Sequence, residues 1–312
     1  MTGILFPLLR RPAALIAAAA LLATVSAASA QQSFKTADEA VSALVSAAKS
    51  GDRKGIVAVL GQGGVDIASS GDEVDDAATR ERFIAAYDAK RQITMEGENK
   101  AILVVGPDDF PFPIPLVRKD GMWEFDTAAG RVEILYRRIG RNELAAIQAC
   151  LAYVDAQNEY AEKDRTGAGA GTYAQRIASS AGRKDGLYWS TPQGEEASPL
   201  GELVASATAQ GYRVSGGQAP FHGYYYRILT RQGANAPGGE LNYVVGGKMI
   251  GGFALVAYPA EYGNSGVMTF LVNHNGTVYE KDLGERTSRL ARQITSFNPD
   301  QTWRKVEVSS SN

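Results

Sequence analysis

One cysteine, Cys150, and two histidines, His222 and His274, are all that 312 residues offer of the side chains that build disulfides and soft metal centres. A lone thiol cannot close an internal bridge, and two imidazoles fall short of the ligand set of a structural zinc, so no cofactor is expected. Charge of one sign is equally scarce. Lys and Arg number 32 against 34 Asp and Glu, for a net charge of −2, which leaves no basic excess for a polyanion and no expectation of a nucleic-acid partner. Beyond the N-terminus, no apolar run reaches the roughly 18 residues that a membrane-spanning helix needs. What is present, 45% apolar and 21% charged residues, suffices to bury a core and is unlike a disordered chain. At about 100–200 residues per domain the length predicts two domains.

The first thirty residues place Arg10 and Arg11 before an apolar stretch at 13–25 and end in Ala28-Ser29-Ala30. A positive start, a short apolar segment and an A-x-A site predict a secretory signal cleaved after Ala30, and hence a periplasmic or secreted protein. No cysteine follows the apolar run, which argues against a lipoprotein anchor. Pro12 and the missing Ser, Thr and Phe around the arginine pair favour general secretion over twin-arginine export. Removing residues 1–30 leaves 30 positive and 34 negative side chains, a charge of −4, and no integral membrane segment is expected to remain.

In the mature chain, Thr36-Ala-Asp-Glu39 predicts a capping box opening a helix with Val41, Leu44, Val45 and Ala48 on one face and Gly51 as its stop. The acidic stretch Asp72-Glu-Val-Asp-Asp76 leads into a second amphipathic helix through Phe83, Ile84 and Tyr87. The apolar period then changes from about four to two. Segments 100–105 and 116–119 predict strands, and Asp120-Gly121 predicts a hairpin turn into Met122-Trp-Glu-Phe125. Residues 34–130 therefore form a small α+β domain. A helix is expected over 128–138, interrupted at Gly140, and another from Asn142 to Lys163 with Leu144, Ile147, Leu151 and Val154 in a stripe that makes Cys150 a small core residue. A short helix near 200–209, strands at 224–230, 242–245, 253–258, 268–272 and 277–281, an Asn275-Gly276 turn and a helix at 287–294 complete a second α+β domain over 131–308.

Several segments carry a resemblance: Phe110-Pro-Phe-Pro-Ile-Pro115, Ile139-Gly-Arg-Asn-Glu-Leu144, Asp185-Gly-Leu-Tyr-Trp189, Gly223-Tyr-Tyr-Tyr-Arg-Ile228, Ala260-Glu-Tyr-Gly263 and Ser265-Gly-Val-Met-Thr-Phe270. Together they resemble an exported bacterial family catalogued as domain of unknown function 2950, which implies export and one architecture over nearly the whole mature chain. The helix order and Trp-Glu-Phe strand of the first domain resemble the cone shared by nuclear transport factor 2-like and ketosteroid isomerase-like domains. The second half resembles the globular heads of type IV pilins and pseudopilins: a helix, a Tyr-rich loop with Tyr160 and Tyr173, then an antiparallel sheet. It departs from them in that residues 31–141 separate the apolar segment from the head helix, which argues against a filament subunit.

Candidate chemistry is sparse. Asp72, Asp75 and Asp76 offer oxygen ligands for calcium, but their spacing lacks the Gly and Glu of an EF-hand loop, so a solvated helix start is the favoured reading. Asp108-Asp109 before alternating prolines reads as loop. His222 beside Tyr224 and Tyr226 is a candidate for acid–base work, with a packing role in a Tyr-rich strand as the simpler reading. Ser265 lacks the full G-x-S-x-G pattern, so no catalytic triad is expected. Tyr188 and Trp189, in a loop expected to be exposed, and Tyr262 complete the candidate ligand or interface residues. The leading expectation is a non-enzymatic exported module that binds another envelope protein. The alternative is a small-ligand binder or hydrolase-type enzyme using the first domain's cone or the His222 and Tyr cluster, which a polar-lined pocket favours and a solid core opposes.

Overall fold

The computed structural model describes residues 31–192, 194–213 and 219–307; the expected secretory signal at 1–30 lies outside them. Helix α1 (Ala37–Ser50) begins at the capping box. Thr36 Oγ1 accepts the Glu39 N–H at 3.1 Å, one of the orphan donors that a helix start must satisfy, and Glu39 reaches back past the cap to accept the Lys35 N–H at 2.9 Å. Helices α2 (Arg53–Leu60), α3 (Val65–Ala68) and α4 (Glu73–Ala89) come next. The chain then turns to strands β1 (Arg91–Met95), β2 (Lys100–Val105), β3 (Phe110–Pro111), β4 (Leu116–Lys119) and β5 (Met122–Phe125). They form an antiparallel sheet in the order β1-β2-β4-β5, with β3 also pairing with β2. Asp120 and Gly121 both take positive φ, 50° and 81°, the pair of angles that a two-residue hairpin matching strand twist requires.

Helix α5 (Thr127–Ala161) is continuous over 35 residues, so the expected interruption at Gly140 does not occur. A glycine inside a helix costs only about 1 kcal/mol relative to alanine. Burial on both sides outweighs that: Leu135 and Arg138 are buried before Gly140, and Asn142, Ala146, Cys150 and Tyr153 after it.

Beyond α5 come α6 (Gly201–Ala209), β6 (Tyr224–Leu229), the short β7 (Arg231–Gln232), β8 (Leu241–Asn242), β9 (Val244–Val245) and β10 (Lys248–Met249), then β11 (Ala254–Pro259), β12 (Met268–Asn273), β13 (Tyr279–Asp282), α7 (Thr287–Gln293) and β14 (Arg304–Lys305). The main sheet is antiparallel in the order β14-β13-β12-β11-β6. Successive residues Ala254, Leu255, Val256 and Ala257 of β11 are all buried, the mark of a strand covered on both faces. Helices α5 and α7 both pack against β11. The connection after β12 is wider than a two-residue turn, and of Asn275 and Gly276 only Gly276 takes positive φ, at 74°.

The chain is thus a mixed α+β protein with antiparallel sheets and two separate apolar clusters. One contains Leu44, Leu60, Leu103, Leu116 and Phe125; the other contains Tyr153, Leu187, Tyr224, Phe253 and Phe270. Ile134 of α5 packs on the first and Cys150 belongs to the second. Among the described residues, no helix is long and apolar enough to cross a membrane.

Candidate functional site

Asp72 caps α4 by accepting the Val74 and Asp75 N–H groups at 3.1 and 3.2 Å. The body of α4 departs from an ordinary amphipathic helix. Over 17 residues it buries no apolar side chain fully; its buried residues are Asp75 and Asp76, while Phe83, Ile84 and Tyr87 are only half-buried. A surface helix normally presses an apolar stripe into close-packed neighbours. Here Phe83 and Ala86, packed at the edge of the first apolar cluster, also line a cavity of about 620 Å³ bordered by α1, α2, α3, α4 and α5 with the end of β2 and the segment 106–113. Leu44, Ile56, Leu60, Phe112 and Ile134 form further apolar wall, with the Phe83 and Phe112 ring centroids 5.2 Å apart.

The polar lining is mostly of one sign. Arg80, Arg82, Arg137, Arg138 and Arg141 line the cavity alongside Asp76 and Asp108. Arg141 pairs with Asp75 at 3.0 Å and Arg82 with the same carboxylate at 3.8 Å, while Arg137 pairs with Glu133 at 2.7 Å and lies over the Phe110 ring. Asp76 accepts the Ser70 N–H at 3.0 and 3.1 Å. Burial raises its pKa above the usual carboxylate value, opposed by the Ser70 hydrogen bonds and by Arg138 and Arg53.

Behind this cavity a buried polar seam joins the two halves. Arg138 donates to the carbonyls of Asp66 and Ile67 at 2.6 and 3.0 Å and to the Asn264 side chain, which donates in turn to Ser69 O at 2.9 Å. Asn142 donates to Ser265 O at 2.9 Å, and Glu143 accepts the N–H groups of Val267 and Met268, both at 2.9 Å. Asp72 Oδ2 accepts both the Tyr212 hydroxyl and the Gly223 N–H. Gly223 has φ 73°, and a Cβ there would meet Asn142 Nδ2 at 2.6 Å, so the approach requires glycine.

This seam corrects the expected solvated acidic cluster: Asp72, Asp75 and Asp76 are buried, and only the helix-start part of that reading holds. Their oxygens serve Tyr212, Gly223, Ser70 and arginines, and among the described residues no group of three His, Cys, Asp or Glu is placed to hold a metal. His222, at φ 49°, packs 4.3 Å from Phe221 and 5.5 Å from Tyr212 between ring centroids. Burial lowers its pKa, with Asp75 and Asp72 opposing, so the neutral imidazole is favoured. Burial and the Asp72 charge push the Tyr212 phenol far above its ordinary value, so its proton stays committed to Asp72. Tyr224 is fully buried and donates to Met268 O at 2.9 Å, while Tyr226 and Tyr212 line a second, smaller apolar cavity of about 160 Å³.

The expected exposed aromatic loop is also corrected. Leu187 is fully buried and Trp189 is 8% exposed within the second apolar cluster, capped by Arg165 and Lys184 over its ring at 5.3 Å each; Tyr188 is half-buried. Tyr262, in the loop between β11 and β12, donates to Asp282 at 3.2 Å and takes no part in the seam. Cys150 is fully buried and its thiol is pushed up to about 12, which removes it as a nucleophile. Ser265, also fully buried, exchanges hydrogen bonds with the Glu261 backbone. Of the residues singled out in the sequence, the structure brings together Asp72, Asp75 and His222. The arginine lining of the cavity is not among the sequence expectations, although Arg137 and Arg141 stand one helical turn apart and so share a face.

Residues 31–306 match the family described as Protein of unknown function (DUF2950). The chain belongs to that family. No curated protein and no solved structure matches it.

Proposed function

We propose that the protein is an exported ligand-binding protein that holds a small molecule between the helices and sheet of its N-terminal domain, residues 34–130, closed on one side by α5. The observation that carries this reading is a cavity of about 620 Å³ lined by Phe83 and Ala86 of α4 together with Leu44, Ile56, Leu60, Phe112 and Ile134. That volume falls within the roughly 300–1,000 Å³ typical of small-molecule sites, and apolar walls with a few convergent polar groups are their usual lining. Binding rather than turnover is the favoured activity, because the buried phenols and carboxylates of the seam hold structural hydrogen bonds. Export rests on the pattern of residues 1–30 and is checked by mass spectrometry of the mature N-terminus, expected at Gln31. The test of the site is binding of the neutral apolar probe N-phenyl-1-naphthylamine to the wild type and to Ala86→Trp, which fills the cavity. Probe fluorescence should rise with the wild type and be lost in a folded variant; equal fluorescence from both refutes the reading.

A second reading, contact with another envelope protein, is favoured by a different feature. Val132, Tyr136 and Leu144 are 52%, 69% and 66% exposed on α5 and fall, with Gly140, at four-residue steps along one stripe. The pilin-like view of residues 131–308 fits this reading, since it sets the later part of α5 against an antiparallel sheet in a head used for contact. In-cell cross-linking from position 136 should then recover one discrete envelope protein, and recovery of none refutes it.

A further inference from the structure

Resting on the ligand-binding reading, we infer that the N-terminal cavity takes an amphipathic anion: a single apolar chain or ring body carrying a carboxylate or phosphate head. The buried wall of the cavity is mostly apolar, with Asp76 and Arg138 as its charged members. The deep walls come from Leu44, Ile56 and Leu60, which are buried, while Phe83 and Phe112 are half-buried. Three of the guanidinium groups lining it stand further out: the side chains of Arg82, Arg137 and Arg141 are 60%, 51% and 50% exposed, whereas Arg138 is buried. A ligand filling such a site has its apolar body inside and its charge towards solvent.

The sign of that charge comes from the lining, where Arg80, Arg82, Arg137 and Arg141 outnumber Asp76 and Asp108, Arg138 being buried and committed to Asp66, Ile67 and Asn264. Asp75 is shared between Arg82 and Arg141, and Arg80 forms no ion pair among the described residues. Arg137 is held by Glu133 in an exposed pair four residues apart on the same helix, a weak contact that a ligand anion can displace. Planar guanidinium donors match the two oxygens of a carboxylate or phosphate, and beside a low-dielectric wall their attraction is stronger than in water. A cationic head would meet the same lining as repulsion.

The experiment is displacement of N-phenyl-1-naphthylamine from the full chain as the cell processes it. The competitors share one apolar tail: decanoate, decyl phosphate, decanol and decyltrimethylammonium. Decanoate and decyl phosphate should displace the probe at concentrations about tenfold or more below decanol, the size of a charge-assisted contact. The cation should be weakest, and the anion preference should shrink as salt is raised. In a folded Arg80→Gln/Arg82→Gln variant the decanoate-to-decanol ratio should fall towards unity. A probe that binds but is displaced equally by decanol and decanoate overturns the anion preference and leaves the cavity reading standing. A probe that never binds removes the ligand-binding reading itself. Flotation with anionic phospholipid vesicles, with free decanoate inert, would assign the arginines to a membrane surface and overturn the proposal.

Discussion

The phenol of Tyr212 donates to Asp72 Oδ2 at 2.8 Å across 140 positions of sequence. The same oxygen accepts the Gly223 N–H at 2.8 Å, and the other oxygen caps α4, so one buried carboxylate answers four donors. Tyr212→Phe should destabilise the protein by about 1.5–3 kcal/mol, the range for a hydrogen bond to a charged group. Asp72→Ala should cost more, because it also removes the cap of α4 and orphans the Gly223 N–H. Urea denaturation of both single variants and the double variant checks this: the double variant should be no worse than Asp72→Ala by more than a small margin.

Mild acid should weaken the fold before most carboxylates titrate. Burial lowers the pKa of both His222 and His274 from 6.5, so the unfolded chain binds protons that the folded chain refuses. Their contribution is fully present above 6.5 and is lost as pH falls from there through the folded values. Melting temperature should therefore drop between pH 7 and pH 5, and His222→Asn, a residue that tolerates positive φ, should flatten part of that slope.

Two glycines of α5 should respond to alanine with opposite signs. At Gly130 an added Cβ would meet Pro113 O at 2.5 Å and Ile114 Cα at 2.7 Å, backbone atoms that cannot turn aside. Gly130→Ala should destabilise by about 1–3 kcal/mol, as overpacking does. Gly140 has nothing within 4 Å of its missing Cβ, so Gly140→Ala should stabilise by about 0.5–1 kcal/mol. Thermal melts of the two variants decide the matter.

Trp189→Ala should lower stability by about 3–5 kcal/mol, because its ring belongs to the second apolar cluster. A melt unchanged by the substitution would contradict its burial.

Local chemistry made much of the fold legible. The capping box at Thr36, the strands at 100–105, 116–119 and 122–125 and the turn at Asp120-Gly121 each have a short-range cause written in adjacent residues. Strand β1 was missed because, at the sheet edge, Arg91, Gln92, Thr94 and Met95 are exposed and show no apolar alternation. Gly140 misled for the opposite reason: a local penalty was outweighed by partners such as Asn264 and Ser265, which lie more than a hundred residues further along. The acidic run read as solvated since its counterparts, Tyr212, Gly223 and Arg141, are distant in sequence. Trp189 looked available because a Gly- and Ser-rich loop says nothing about what packs over it.

Helix α5 also sets a phase between the two halves. It holds no proline, and along it Arg138, Asn142 and Glu143 all engage fixed partners in other segments. One residue inserted near position 140 would turn everything after it by about 100° and advance it by about 1.5 Å. Every seam bond beyond that point would then face the wrong way. The count of residues in this helix, more than their identity, is what keys one core to the other.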